Sequence, residues 1–123
     1  MKSGNMCNRQ GVMNMLTYEM TQELISGLID IFNDNIYQII LYGSVARQQA
    51  TEESDIDIAI VLNNNFDSEI RERFIAWATD MDLKYGKIFS IIDIERKNLG
   101  KWGKVLPFYR SIQEEGIVLW KVA

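Results

Sequence analysis

The chain has 123 residues, of which 47% are hydrophobic and 24% charged, with a formal net charge of −4; this suits one folded domain with its own core and excludes a disordered segment. It contains no histidine and a single cysteine, Cys7, which excludes histidine-based triads and general bases, most zinc sites and a disulfide-stapled scaffold. An acidic balance also speaks against direct nucleic-acid binding, which rests on a basic surface that displaces counterions.

Residues 1–15 are polar and mixed, without the apolar stretch of a signal peptide, and read as a flexible leader ahead of a single domain over 16–123. From about Thr17, Met20, Leu24, Leu28 and Ile31 fall on one helical stripe, which Asn33-Asp34-Asn35 interrupts. Ile36 to Tyr42 is β-branched and aromatic and predicts a buried strand that stops at Gly43-Ser44. A short helical segment over roughly Val45 to Gln49 follows, then the polar turn Thr51-Glu52-Glu53-Ser54. Asp55 to Leu62 is the clearest strand: Asp55, Asp57, Ala59 and Val61 share one face, and Ile56, Ile58, Ile60 and Leu62 the other.

A helix is expected from about Asp67 to Tyr85, with Ile70, Phe74, Trp77 and Met81 as its core stripe and Gly86 as its stop. Lys87 to Ile94 predicts a third strand that carries Phe89, Ile91 and Asp93 on one face. The basic stretch with Arg96, Lys97, Lys101 and Lys104 reads as a solvated face; Pro107 then opens a helix that ends at Gly116, and Ile117 to Trp120 forms a short last strand. The class is therefore α/β or α+β. The short link between the first two strands leaves little room for a parallel crossover, so the sheet is expected to be mixed, with helices packed on it. The longest aliphatic run, Ile58 to Leu62, falls far short of the roughly 20 residues that span a bilayer. No membrane contact and a cytoplasmic location are the expectation.

Chemistry concentrates in one pattern. Asp55 and Asp57 are separated by one residue on a strand, so their carboxylates share a face and repel each other, and divalent metal is the natural relief. Carboxylate and phosphate oxygens are what Mg²⁺ prefers, and two such ions could clamp the attacking and leaving oxygens of a phosphoryl transfer. Gly43 lets backbone approach a phosphate, and the Ser44 hydroxyl can hydrogen-bond it. Arg47 has two readings, a contact to a triphosphate or a surface ion pair, and Asp93 offers a further carboxylate on the third strand.

The stretch GSVARQQATEESDIDIAI, in which Gly43-Ser44 precede Asp55-Ile56-Asp57 by ten residues, resembles the signature of minimal nucleotidyltransferases of the DNA polymerase beta superfamily. Chance produces that spacing in a chain of this length on the order of once in several hundred. The resemblance extends through IIDIE around Asp93 to IQEEGIVLW and looks closest to the MntA-type antitoxins of HEPN/MNT toxin–antitoxin pairs. It implies that Asp55 and Asp57 hold Mg²⁺, that Asp93 completes the site and helps to activate the attacking hydroxyl, and that Gly43 and Ser44 hold the triphosphate of ATP. It further implies transfer of AMP to a tyrosine hydroxyl of a partner HEPN ribonuclease toxin, which silences it. The pattern departs from many relatives in one place, where Gln48 rather than glycine follows Arg47. Two rival functions are a non-catalytic antitoxin that blocks its toxin by binding alone, and nucleotidyl transfer to a small molecule. The chain is too short to add the second domain that aminoglycoside nucleotidyltransferases use.

Overall fold

The structure, a computed structural model, describes residues 16–47, 55–103 and 105–122. The leader expected over 1–15, the polar turn over 51–54 and Lys104 lie outside the described residues. Helix α1 (Tyr18–Phe32) starts where Thr17 accepts the Met20 N–H on its hydroxyl at 3.2 Å, which satisfies one of the free donors of the first turn. Its apolar stripe is the expected one: Met20, Leu24, Leu28 and Ile31 are all buried. A 3₁₀ turn (Asn33–Asn35) leads into β1 (Ile36–Tyr42), and a single helical turn, α2 (Gly43–Ala46), follows. That turn begins two residues before the segment predicted from Val45, and the predicted end at Gln49 lies outside the described residues.

Strand β2 (Ile56–Leu62) is followed by α3 (Ser68–Tyr85), whose start is capped by Asp67 and whose end is Gly86 in the left-handed conformation, φ 63°. Then come β3 (Phe89–Glu95), α4 (Arg96–Trp102), α5 (Pro107–Glu115) and β4 (Ile117–Lys121). Helix α4 carries the basic stretch for which no element was predicted.

The four strands form one sheet in the order β3-β2-β1-β4. β1 runs antiparallel to both β2 and β4, whereas β2 and β3, joined through α3, are parallel. This mixed sheet with helices packed on it is an α+β fold. One face carries Ile39, Leu41, Ile58 and Ile60 into a core with α1 and α3. The opposite face carries Ile40, Ala59, Val61 and Ile94 into a smaller core closed by Leu99 of α4 and Ile112 of α5. Strand parity thus sorts every β2 side chain between two cores, and Asp57 belongs to the face of the smaller one. Among the described residues no helix is long and apolar enough to cross a membrane.

Candidate active site

The site is built at the end of the sheet where β1 stops and β2 starts. Antiparallel register places Tyr42 opposite Asp57, so the chain leaves β1 directly over that carboxylate. Gly43 then turns with φ 75°, a conformation glycine adopts without the steric cost of a side chain. A Cβ at this position would stand 2.3 Å from Asp57 Oδ2. The backbone corner and the carboxylate are therefore packed directly on each other. Ser44 is the next residue of the same turn and is half-buried.

Asp55, exposed, precedes β2, and Asp57, half-buried, lies two residues on along the extended chain and so on the same face. Their proximity is felt electrostatically. Burial first, and the charge of Asp55 second, push the Asp57 carboxyl above its ordinary range, and the Arg47 guanidinium partly opposes this. The Tyr42 phenol is pushed up as well, by burial and then by the charge of Asp57. Two neighbouring carboxylates form an oxygen donor set that suits a hard divalent cation accompanied by phosphate.

Arg47 closes α2 and lies 3.6 Å from Glu115 Oε1 at the end of α5, both side chains being about half exposed at 41% and 52%. It makes the surface ion pair, and it also sits close enough to act on Asp57. An exposed pair of this kind contributes on the order of 0–1 kcal/mol, so little energy ties the guanidinium to Glu115.

Asp93 is not brought to this site. Parallel register sets Ile60, not Asp57, beside Asp93. Asp93 is thus three residues, about 10 Å, further along its strand, and the odd offset turns it to the other face of the sheet. The residue that register places beside Asp57 is Ser90. Among the described residues no three acidic side chains gather where they could hold a metal ion.

The register that decides this is anchored at the start of β3. The Ile56 N–H donates to the Ile88 carbonyl at 2.8 Å, and the Asp82 carboxylate accepts the Phe89 N–H at 2.9 Å from the last turn of α3. Asp82 was not among the expected functional residues, and its only trace in the sequence is an acidic group one turn ahead of the glycine that ends the helix. A separate groove at the far end of the sheet is lined by Asn33, Asn35, Asn63, Asn64 and Phe66. Its asparagines serve the fold: Asn35 exchanges two hydrogen bonds with the backbone of Asn64, at 2.7 and 2.9 Å.

Comparison with known proteins gives this corner a context. A protein of Methanocaldococcus jannaschii named "Putative protein adenylyltransferase" is 38% identical over 99 residues, covering 80% of this chain and 93% of that protein. Among solved structures, a chain from a toxin–antitoxin complex with AMP-PNP superposes with a TM-score of 0.58 at 19% identity, covering 83% of this chain and 73% of that one. A chain from the Shewanella oneidensis complex of a tri-AMPylated HEPN toxin with its MNT antitoxin gives a TM-score of 0.52 at 18% identity, over 83% and 70%. These structural likenesses establish the fold. The family model described as polymerase beta, nucleotidyltransferase matches residues 27–121, a span that holds the glycine corner, Asp55, Asp57 and all four strands. The chain belongs to the polymerase beta family of nucleotidyltransferases.

Proposed function

We propose that this protein is an Mg²⁺-dependent protein adenylyltransferase that moves AMP from ATP to a tyrosine hydroxyl of a HEPN-type ribonuclease toxin and thereby neutralises it. The observation that carries the reading is the pair of carboxylates at the start of β2, Asp55 just ahead of the strand and Asp57 in it, with the backbone of Gly43 packed against the second. The name of the Methanocaldococcus jannaschii relative supports the reaction type, and the toxin–antitoxin neighbours support the class of acceptor.

In this reading Asp55 and Asp57 hold the cation, and their all-oxygen donor set fits Mg²⁺. When bound, that ion neutralises phosphate charge and withdraws electrons from the reacting phosphoryl group. The chain's own residues do the rest. The Gly43 corner brings backbone against the triphosphate, the Ser44 hydroxyl donates to a phosphate oxygen, and Arg47 exchanges Glu115 for the triphosphate. The tyrosine oxygen attacks the α-phosphorus, the bond to the β-phosphate oxygen breaks and pyrophosphate leaves, while the phenolic proton passes to solvent.

Co-production with a HEPN-type ribonuclease, followed by intact mass of that partner, tests the proposal. The partner gains one or more AMP units with wild type, and the gain falls by roughly 10²-fold or more with Asp57→Asn. Unreduced modification by Asp57→Asn refutes it. A binding-only antitoxin is the second reading, favoured by the absence of Asp93 from the site. It requires a co-purifying partner of unchanged mass that Asp55→Asn/Asp57→Asn still silences. Label from α-labelled ATP in a small-molecule fraction instead of a protein band points to a small-molecule acceptor.

A further inference from the structure

The immediate neighbours of Asp57 in the sheet are set by register: Tyr42 on β1 and Ser90 on β3. In a parallel pair the register partners point to the same face, so Ser90 presents its hydroxyl alongside the Asp57 carboxylate at a strand spacing of about 4.8 Å. The one carboxylate in the middle of β3, Asp93, is exposed on the opposite face of the sheet, and no third acidic group joins the pair among the described residues. A hydroxyl is a neutral and weaker ligand than a carboxylate, and Mg²⁺-type ions held by only one or two carboxylates rely on substrate phosphates to complete their shell.

We propose that Ser90 is the third group of this site and that, with two carboxylates only, the centre captures a divalent cation together with the nucleotide rather than ahead of it. The inference rests on the nucleotidyltransferase reading given above and adds an order to it: the nucleotide brings the cation. Ser90 is a positioning residue here, and position 90 is the place where one substitution changes the centre's metal chemistry. Replacement by aspartate supplies the missing carboxylate on the correct strand and face.

Mn²⁺ serves as the probe, with free ion followed by electron paramagnetic resonance, alone and in the presence of AMP-PNP. Wild type and Asp93→Asn hold Mn²⁺ weakly alone and at least about tenfold more tightly once AMP-PNP is present, and Ser90→Ala loses part of that gain. Ser90→Asp holds Mn²⁺ alone at least about tenfold more tightly than wild type, and its melting temperature, lowered in chelator by the added repulsion, recovers on addition of Mn²⁺. Nucleotide-free wild type that binds Mn²⁺ as tightly as Ser90→Asp overturns the proposal, as does loss of Mn²⁺ capture in Asp93→Asn. Should wild type bind Mn²⁺ with AMP-PNP while Ser90→Asp gains nothing, the assignment of Ser90 fails and the nucleotidyltransferase reading stands. Should wild type bind neither Mn²⁺ nor AMP-PNP, both fail. Should Ser90→Asp not fold, Ser90→Ala decides: a gain on AMP-PNP equal to that of wild type overturns the assignment of Ser90.

Discussion

Asp57 carries an electrostatic cost within the fold. Its carboxyl is half-buried, faces the charge of Asp55, and is only partly relieved by Arg47. Tyr42 stands opposite it, with its own phenol pushed up by burial first and then by the charge of Asp57. The folded-state affinity of Asp57 for its proton therefore exceeds that of the unfolded chain. The sign follows: the ionised group burdens the fold fully above its raised folded value, and the burden disappears as pH falls below the ordinary carboxylate value near 4. Asp57→Asn, in chelator, is accordingly expected to melt about 2–4 °C higher than wild type at pH 7, with the difference fading towards pH 4. Thermal melts of both proteins across that range check this, and an unchanged or lowered melting temperature at pH 7 contradicts it. Gly43 completes the residue-scale picture, because its φ of 75° and the 2.3 Å that a Cβ would leave to Asp57 Oδ2 reserve the position for glycine twice over.

Among the elements, α1 and α3 lie on the same face of the sheet and meet where Gly27 faces Trp77. A Cβ at Gly27 would stand 2.3 Å from the indole Nε1 and 2.5 Å from Cε2. Helix propensity alone makes alanine better than glycine by about 1 kcal/mol at an interior position. Overpacking against a bulky ring costs about 1–3 kcal/mol, and the rigid indole is itself held by stacking on Phe74 at 6.4 Å between centroids. Packing wins, so Gly27→Ala is expected to destabilise by roughly 1 kcal/mol net, read from the midpoint of urea unfolding. A rise in that midpoint would show that Trp77 yields freely. The element that sequence reading missed, α4, shows the opposite balance. Arg96–Trp102 holds three cations and Gly100 around one buried side chain, Leu99, so it has almost no apolar period to detect.

The whole molecule is organised by one sheet that serves two cores. The larger, under α1 and α3, supplies most of the buried side chains, and the smaller one, under α4 and α5, flanks the face that carries Asp57. The corner of Gly43 and Asp57 sits at the sheet end where β1 hands over to α2, and the asparagine-lined groove occupies the other end. A ligand that binds only the folded corner raises stability by mass action, about 2.7 kcal/mol at a hundred times its Kd. AMP-PNP with Mg²⁺ is thus expected to raise the melting temperature of wild type by several degrees and that of Asp55→Asn/Asp57→Asn by none. Equal shifts in the two proteins would place the nucleotide elsewhere.

Most of the elements, and the pairing of Asp55 with Asp57, were legible because they depend on local periodicity. A two-residue period on β2 settles which side chains share a face, and a four-residue stripe on α1 settles what it buries. The grouping of Phe89, Ile91 and Asp93 on one face of β3 is equally local and correct. What no local pattern contains is which face of β2 that group joins. The Asp82 bond to the Phe89 N–H and the Ile56 bond to Ile88 fix where β3 begins against β2, and a shift of one residue there would send every β3 side chain to the other core. The sequence by itself determined the class of fold and the two-carboxylate motif. Only the tertiary structure, through inter-strand register, decided that Ser90 and not Asp93 stands beside Asp57.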